Sequence, residues 1–305
     1  MFQVLIQMAA LILCGTLWRA ARPMGIDADV ARQVLTGLVY SLLLPALVLA
    51  VLWRTPLGMD SGRIALAAAA GILGTLALAW GLFRLTGTAR ASAGALILAG
   101  CFPNATYMGL PVLEQLLGPT GRSIALQYDL FACTPILLTL GILLAAAYGD
   151  HQGQAHPLKT LLKVPPLWAA LLAITLNLSG VPMPQAVEGW LQMLGNGVIP
   201  LMLISLGMAL KWSSWERRYL PLLLPTLLLQ LMVMPLIVMS VAQWLGLSGE
   251  LLMGVTMEAA MPSVVIGLVL CDRYGLNTEL YVIAVTLSTA LTLVTLPLWH
   301  GWLGG

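Results

Sequence analysis

Long apolar segments separated by short polar connections run the whole length of the chain. A helix that crosses a bilayer needs roughly 20 apolar residues, and hydropathy places ten segments of about that length in this sequence. They lie near residues 2–20, 33–53, 64–83, 92–117, 122–148, 161–179, 188–210, 219–244, 250–271 and 277–299. None has the weak alternating pattern of a membrane β-strand. The pattern predicts an all-α integral membrane protein with ten transmembrane helices.

Composition supports a membrane protein and argues against an enzyme. Of the 305 residues, 60% are hydrophobic and only 9% are charged, which is too few charges to cover a soluble surface. The four cysteines form no CxxC pair and the three histidines lie in a connection or near the C-terminus, so we expect no metal site. The chain has no HExxH, GxSxG or Walker A motif, and its connections are too short for a catalytic domain.

Basic residues are distributed unequally between the two sides of the predicted bundle. Connections after odd-numbered spans carry 11 of the 14 basic residues. These are Arg19, Arg22, Arg32, Arg84, Arg90, Lys159, Lys163, Lys211, Arg217, Arg218 and Arg273. The other side carries only Arg54, Arg63 and Arg122. Because short cytoplasmic loops are rich in Lys and Arg, we expect a multi-pass protein of the cell inner membrane with both termini on the periplasmic side.

The two halves of the chain share features at a nearly constant offset. Pro45 and Pro200 are 155 residues apart, and Gly109 and Gly267 are 158 apart. The longest polar connection, 149–163, divides the chain into repeats at 1–148 and 164–305. Five spans per repeat is an odd number, so the repeats would have inverted topology, an arrangement found in many secondary transporters.

The fourth and ninth spans are interrupted at corresponding places. The segment CFPNATYMGLP contains Pro103 and Pro111 in an otherwise apolar run, and the ninth span contains Pro262 before Gly267. Proline removes a backbone donor and frees a carbonyl one turn earlier. Because lipid cannot satisfy such groups, we expect the two breaks to cross near the middle of the membrane, where paired broken helices commonly form a binding site.

Five motifs of the chain are informative in combination: NATYMGLP (104–111), PPLWAALLAITLNLSGVPMP (165–184), IPLMLISLGMAL (199–210), AAMPSVVIGLVLCDRYG (259–275) and VTLSTALTLVTLPLW (285–299). Together they resemble the auxin efflux carrier family, and within it the bacterial permeases that include malonate carriers. The resemblance implies a fold distantly similar to bile-acid/sodium symporters. In that fold spans 1, 2, 6 and 7 form a scaffold, through which homodimers would form, and spans 3–5 and 8–10 form a transport domain. The large loop of the plant hormone exporters is absent, which argues against auxin as substrate.

Six residues at the two breaks are candidates for binding a substrate. They are Asn104, Thr106, Tyr107, Gly109, Pro262 and Ser263. Asn and Thr side chains can bind a carboxylate or the freed backbone, and the alternative role for Asn104 and Thr106 is local capping of the second half-helix. Hydroxyls such as those of Ser263, Ser288 and Thr289 more often bond their own backbone or bridge helices.

Acidic residues inside spans are candidates for ion coupling, because a membrane carboxylate usually faces a cavity or a partner. Glu258 lies four residues before Pro262, and its alternative role is a protonated acid bonded to a freed carbonyl. Asp129 would complete a polar cluster with Asn104, Thr106 and Glu258, or would pair with Arg122. Contributions from Glu114 and Arg273 are left open, since both fit interfacial positions.

The sequence therefore predicts a secondary active transporter of a small organic anion, a mono- or dicarboxylate such as malonate. We expect H⁺ as the coupling ion, with Na⁺ as the alternative, and no other cofactor. The partners would be the anion and the bilayer, with no nucleic acid. The rival functions are a channel or facilitator of the same fold.

Overall fold

The computed structural model describes residues 2–55, 57–149, 162–209 and 219–304. Most of the predicted connecting loop, with His151, His156 and Lys159, lies outside the described residues, as do Lys211, Arg217 and Arg218. Within the described residues the regular structure is helical, apart from one isolated β-bridge. The predicted all-helical class is confirmed.

Eleven helical segments follow one another in the described part of the chain. They are α1 (Phe2–Ala21), α2 (Ala28–Leu52), α3 (Met59–Leu85), α4 (Arg90–Cys101), α5 (Ala105–Tyr148), α6 (Pro165–Leu178), α7 (Gln185–Ala209), α8 (Leu220–Trp244), α9 (Gly249–Ala259), α10 (Gly267–Tyr274) and α11 (Thr278–Trp302). Within α5 the chain bends at Gly118, where φ is +58° and Pro119 follows. Two residues, Asn196 and Gly197, form a turn inside α7.

Six of these segments are long and apolar enough to cross a membrane: α2, α3, α5, α7, α8 and α11. Three shorter apolar helices, Ala9–Ala21, Arg90–Cys101 and Pro165–Leu178, accompany them. The chain is therefore a multi-pass membrane protein. The total of ten spans and the inverted repeat remain predictions.

Both predicted breaks are present, and the first is narrower than expected. α4 ends at Cys101 and α5 begins at Ala105, so Pro111 lies inside the resumed helix and does not interrupt it. In the second half α9 ends at Ala259 and α10 begins with Gly267, so Gly267 starts a helix. The prediction that Pro111 breaks a helix is wrong, whereas Gly267 marks the end of the second break.

A widened turn explains how Pro111 fits inside a helix. Pro111 lies two residues after a π-helical turn, Ala105–Gly109, and Pro45, Pro135 and Pro235 follow π-turns in the same way. A proline ring clashes with the carbonyl four residues earlier, and in each case that carbonyl belongs to the widened turn. An i→i+5 turn moves the carbonyl aside, so the helix continues.

The helices form two groups by their most extensive contacts. α1 packs along α7, and α2 packs along α6 and α7, whereas α3, α4, α5, α8, α9 and α11 contact one another. Gly15 and Gly207 bring α1 and α7 so close that a Cβ on either would collide with the other helix's backbone. The buried core extends through both groups, whereas both breaks lie within the second group.

Candidate functional site

The two breaks meet and complete each other's backbone hydrogen bonding. The Asn104 N–H donates to the carbonyl of Pro262 at 2.7 Å, and the Val264 N–H donates to the carbonyl of Phe102 at 2.9 Å. Pro103 and Ser263 face each other between these bonds as an antiparallel bridge. Buried backbone groups need such partners where no water is present, which explains why two interrupted helices tolerate their breaks at this place.

The carbonyl that Pro103 frees in α4 is satisfied by Ser263. Pro103 has no N–H, so the carbonyl of Ala99 loses its helical donor, and the Ser263 hydroxyl donates to that oxygen at 2.6 Å. The Ser263 N–H in turn donates to the Ser288 hydroxyl at 3.1 Å. The donor of the Ser263 hydroxyl is thus already used within the protein, and the side chain is fully buried.

Replacing Ser263 with alanine is expected to lower stability, because the buried carbonyl of Ala99 would lose its partner. Leaving a buried acceptor unsatisfied costs about 1–3 kcal/mol. Ser240→Ala is the matched control, since the exposed Ser240 hydroxyl bonds only its own helix at Leu236. Thermal unfolding of both variants in detergent would measure the difference. Equal midpoints for the two variants would contradict this role of Ser263.

A glutamine that the sequence reasoning missed closes the end of α9. The fully buried Gln230 on α8 donates through Nε2 to the carbonyl of Met261 at 2.9 Å and to that of Ala259 at 3.4 Å. On the other side of the break, the Tyr281 hydroxyl donates to the carbonyl of Val264 at 2.6 Å. The available signal was an amide side chain inside an apolar span.

A cavity of about 60 Å³ lies beside the first break, which we call the site cavity. It is lined from the break by Pro103, Asn104, Ala105, Thr106 and Tyr107, from α5 by Asp129, Leu130, Cys133, Thr134, Leu137 and Leu138, from α2 by Tyr40 and Leu44, from α6 and the residue before it by Pro166 and Val164, and from the second break by Val264 and Ile266. This volume has room for a few water molecules. Its walls are largely apolar, so the few polar groups stand out.

Asn104 offers this cavity an amide donor with no described partner. Its Oδ1 accepts from the Tyr107 N–H at 3.3 Å, which caps the first turn of α5. Its Nδ2 is buried and forms no hydrogen bond with any described residue. The Asn104 side chain therefore caps α5 with its oxygen and keeps a free donor on its nitrogen.

Asp129 is held by two threonine hydroxyls. The hydroxyl of Thr106 donates to one carboxylate oxygen, and the hydroxyl of Thr134 donates to the other at 2.8 Å. The alternative that Asp129 pairs with Arg122 is wrong, because Arg122 forms its ion pair with Glu114. Thr106 thus positions Asp129, and its donor is not free for a substrate.

Glu258 lies behind the site cavity, against Gly109. The side chain is fully buried, and neither carboxyl oxygen bonds any described residue, so the alternative role of Glu258, a bond to a freed carbonyl, is not observed. A Cβ at Gly109 would collide with this carboxyl group. The absence of a side chain at Gly109 is therefore what makes room for the acid at this depth.

The predicted site residues separate into two sets. Asn104, Thr106, Tyr107 and Asp129 line the site cavity with Pro103, whereas Gly109, Pro262, Ser263 and Glu258 lie in the packed layer around the crossing. Farther away, Asp272 accepts from the Thr278 hydroxyl at 2.8 Å, and Arg273 lies over the ring of Tyr274. No group of three His, Cys, Asp or Glu side chains suited to a metal occurs in the described residues.

Comparison with known proteins identifies the family. The family described as membrane transport protein matches residues 1–157 and 151–300. An uncharacterized transporter of Methanothermobacter thermautotrophicus is 28% identical over 97% of this chain and 96% of its own length. An uncharacterized transporter of Methanocaldococcus jannaschii is 26% identical over 69% of this chain and 68% of its own. The transporter YfdV of Escherichia coli K12, also uncharacterized, is 24% identical over 78% and 77%. The chain belongs to this family of membrane transport proteins, the auxin efflux carriers, whose members are transporters and not enzymes.

Proposed function

We propose that this protein is a secondary active transporter that moves a small organic anion together with a proton. One observation carries the proposal: a free amide donor, Asn104 Nδ2, and the carboxyl group of Asp129 line the same cavity at the helix breaks. A mono- or dicarboxylate of the size of malonate is the substrate class that this chemistry suits best.

The anion would bind at the beginning of α5. The first N–H groups of a helix have no partners within that helix, and together with the helix dipole they favour negative charge. Ala105 and Thr106 provide such groups beside Asn104, and all three residues line the site cavity. A substrate carboxylate placed there would accept from the Asn104 amide and from the backbone. Tyr107 would border the same subsite.

The proton would travel on an acid beside the anion. Two unit charges 4 Å apart repel by about 4 kcal/mol at an effective dielectric constant near 20, so an ionised Asp129 would exclude the anion that Asn104 attracts. Protonation of Asp129 removes this repulsion and couples the two bindings. Glu258, buried without a described partner, is the second candidate, because an isolated buried charge is costly and a neutral acid is not.

Alternating access would require the site cavity to open to each side in turn. At about 60 Å³ it is narrow, while a second cavity of about 670 Å³ lies at the C-terminal end of α2, lined in part by Arg54, Arg122 and Gln127. Gln127 lines the second cavity and Asp129 lines the site cavity, only two residues further along α5. This arrangement supports access from two sides across the crossing.

The predicted ten-span inverted repeat belongs to this mechanism. In it the group that contains both breaks would move against the group that contains α1, α2, α6 and α7, carrying the site across the bilayer. The positive-inside count favours the cell inner membrane with both termini periplasmic. A homodimer would form through α1, α2, α6 and α7 and hold that group fixed.

Counterflow into proteoliposomes with labelled mono- and dicarboxylates is the direct test, with pH and Na⁺ gradients imposed separately. We expect accumulation driven by a proton gradient, a strong loss in Asn104→Ala, and normal exchange in Asn277→Ala. The control residue is an asparagine that caps a different helix, α11. A Na⁺ gradient acting instead of a proton gradient would reassign the coupling ion. Flux that never exceeds equilibration would indicate a facilitator, and normal transport by Asn104→Ala would remove the proposed site.

A further inference from the structure

A separate pocket lies where α3 ends and α4 begins, and we call it the arginine pocket. It is lined by Trp80, Phe83, Arg84, Gly87, Thr88, Arg90, Ala93, Ala147 and Tyr148, and its volume is about 460 Å³. None of these residues borders the site cavity. The proposed transport function therefore makes no use of this pocket.

The depth of the arginine pocket matches that of lipid headgroups. α3 has 27 residues, and at 1.5 Å per residue such a helix is roughly 40 Å long, close to the thickness of a bilayer with its headgroup layers. Arg84 is the second-last residue of α3. Its guanidinium group therefore lies near the polar surface of the membrane.

The two arginines of the pocket carry charge that the described part of the protein does not neutralise. The described ion pairs involve five other arginines, and none includes Arg84 or Arg90. The Arg90 guanidinium donates to the carbonyl of Ala147 at 2.5 Å, which fixes it at the end of α5. Arg84 stacks over the ring of Trp80, 5.1 Å from its centre. Both groups keep further donors, since a guanidinium has five N–H bonds.

Aromatic and hydroxyl groups complete the pocket. Trp80 and Tyr148 are of the kind that settle at the boundary between lipid and water. The hydroxyls of Thr88 and Thr86 lie 2.9 Å apart and either can donate, so when Thr86 donates, the Thr88 proton is left for an anion. We propose that the arginine pocket binds the phosphate of an anionic membrane phospholipid, with both guanidinium groups on the phosphate oxygens.

The surroundings of the pocket favour a lipid over a soluble phosphate. Trp80 is 44% exposed, and Leu73 and Leu66, seven and fourteen residues earlier on the same face of α3, are 43% and 60% exposed, so an apolar surface continues from the pocket along the outside of α3. An acyl chain would cover that surface, whereas a free phosphate would leave it bare. Basic pockets between membrane helices are known to hold lipid headgroups in this way.

The test measures lipids retained by the purified full-length protein in native mass spectrometry, with phosphatidylglycerol and phosphatidylcholine offered together. We expect preferential retention of phosphatidylglycerol by the wild type. In Arg84→Gln/Arg90→Gln the preference should fall by roughly 30-fold, or about fivefold for each arginine. Arg63→Gln is the control, since Arg63 lies at the opposite end of the same helix and pairs with Asp60. It should leave the preference unchanged.

A second variant distinguishes loss of lipid binding from misfolding of the doubly substituted protein. Thr88→Glu adds a negative charge at a partly exposed turn residue and should also abolish the preference. Equal retention of both lipids by the wild type, or an equal loss in Arg63→Gln, would overturn the proposal. Thermal stabilisation by inorganic phosphate or glycerol phosphate, without any by phosphatidylglycerol, would assign the pocket to a soluble phosphate and overturn the lipid. None of these outcomes depends on which anion the protein transports.

Discussion

Asp129→Asn is expected to abolish proton-driven accumulation of the substrate while leaving exchange of substrate for substrate in place. Asparagine keeps the size of the side chain and an oxygen that can accept from Thr106 or Thr134, but it cannot take up and release a proton. The anion would still find a neutral group beside Asn104, so binding is retained. Only the link between anion and proton is lost.

The expected size follows from the energy stored in the gradient. With one proton moved per anion, a gradient of one pH unit supports roughly tenfold accumulation, equivalent to about 1.4 kcal/mol. In the variant the internal and external concentrations should become equal. The measurement is uptake of labelled substrate into proteoliposomes with and without a pH gradient, and counterflow in the same preparation reports exchange.

Asp27→Asn is the matched control for this experiment. Asp27 is exposed just before α2, where its side chain caps the helix by accepting from the Asp29 N–H, and asparagine can cap in the same way. It should keep both accumulation and exchange. Accumulation that persists in Asp129→Asn would show that Asp129 does not carry the proton, and Glu258→Gln would then be the variant expected to uncouple transport.

The elements could be predicted from the sequence because they depend on local composition. Apolar length alone placed the spans, and Pro103 and Pro262 alone located the two breaks, since a proline orphans a carbonyl whatever surrounds it. These inferences needed little knowledge of the tertiary arrangement. Of the expected polar cluster of Asn104, Thr106, Asp129 and Glu258, the first three line the site cavity, whereas Glu258 lies against Gly109.

The remaining features depend on contacts between residues far apart in the chain. The Ser263 hydroxyl bonds the carbonyl of Ala99, and the Gln230 amide bonds the carbonyl of Met261. Both bonds depend on which helix lies against each break. Pro111 looked like a break because its π-turn depends on i→i+5 bonding that composition does not reveal. The ion pair between Arg122 and Glu114 depends on the bend at Gly118, which the spacing of the residues does not reveal. Asp129 was therefore the wrong alternative partner for Arg122.

Gly109→Ala is expected to destabilise the protein and to impair transport through a single collision. The added Cβ would meet both carboxyl oxygens and the carboxyl carbon of Glu258, which are enclosed on all sides. Forcing one carbon into a close-packed region costs about 1–3 kcal/mol. Because the acid must shift to relieve the contact, the crossing of the two breaks would be disturbed as well. Thermal unfolding in detergent and proteoliposome uptake measure the two effects.

A double substitution separates this collision from a general cost of alanine in α5. Glu258→Ala removes the carboxyl group, so Gly109→Ala/Glu258→Ala should be more stable than the sum of the single effects predicts, by about 1–3 kcal/mol. Gly81→Ala is the control, because a Cβ on that helical glycine of α3 meets nothing within 4 Å. It should be neutral or slightly stabilising, since alanine favours a helix by up to about 1 kcal/mol over glycine. Strictly additive effects of the Gly109 and Glu258 changes would mean that the acid does not rest against this glycine.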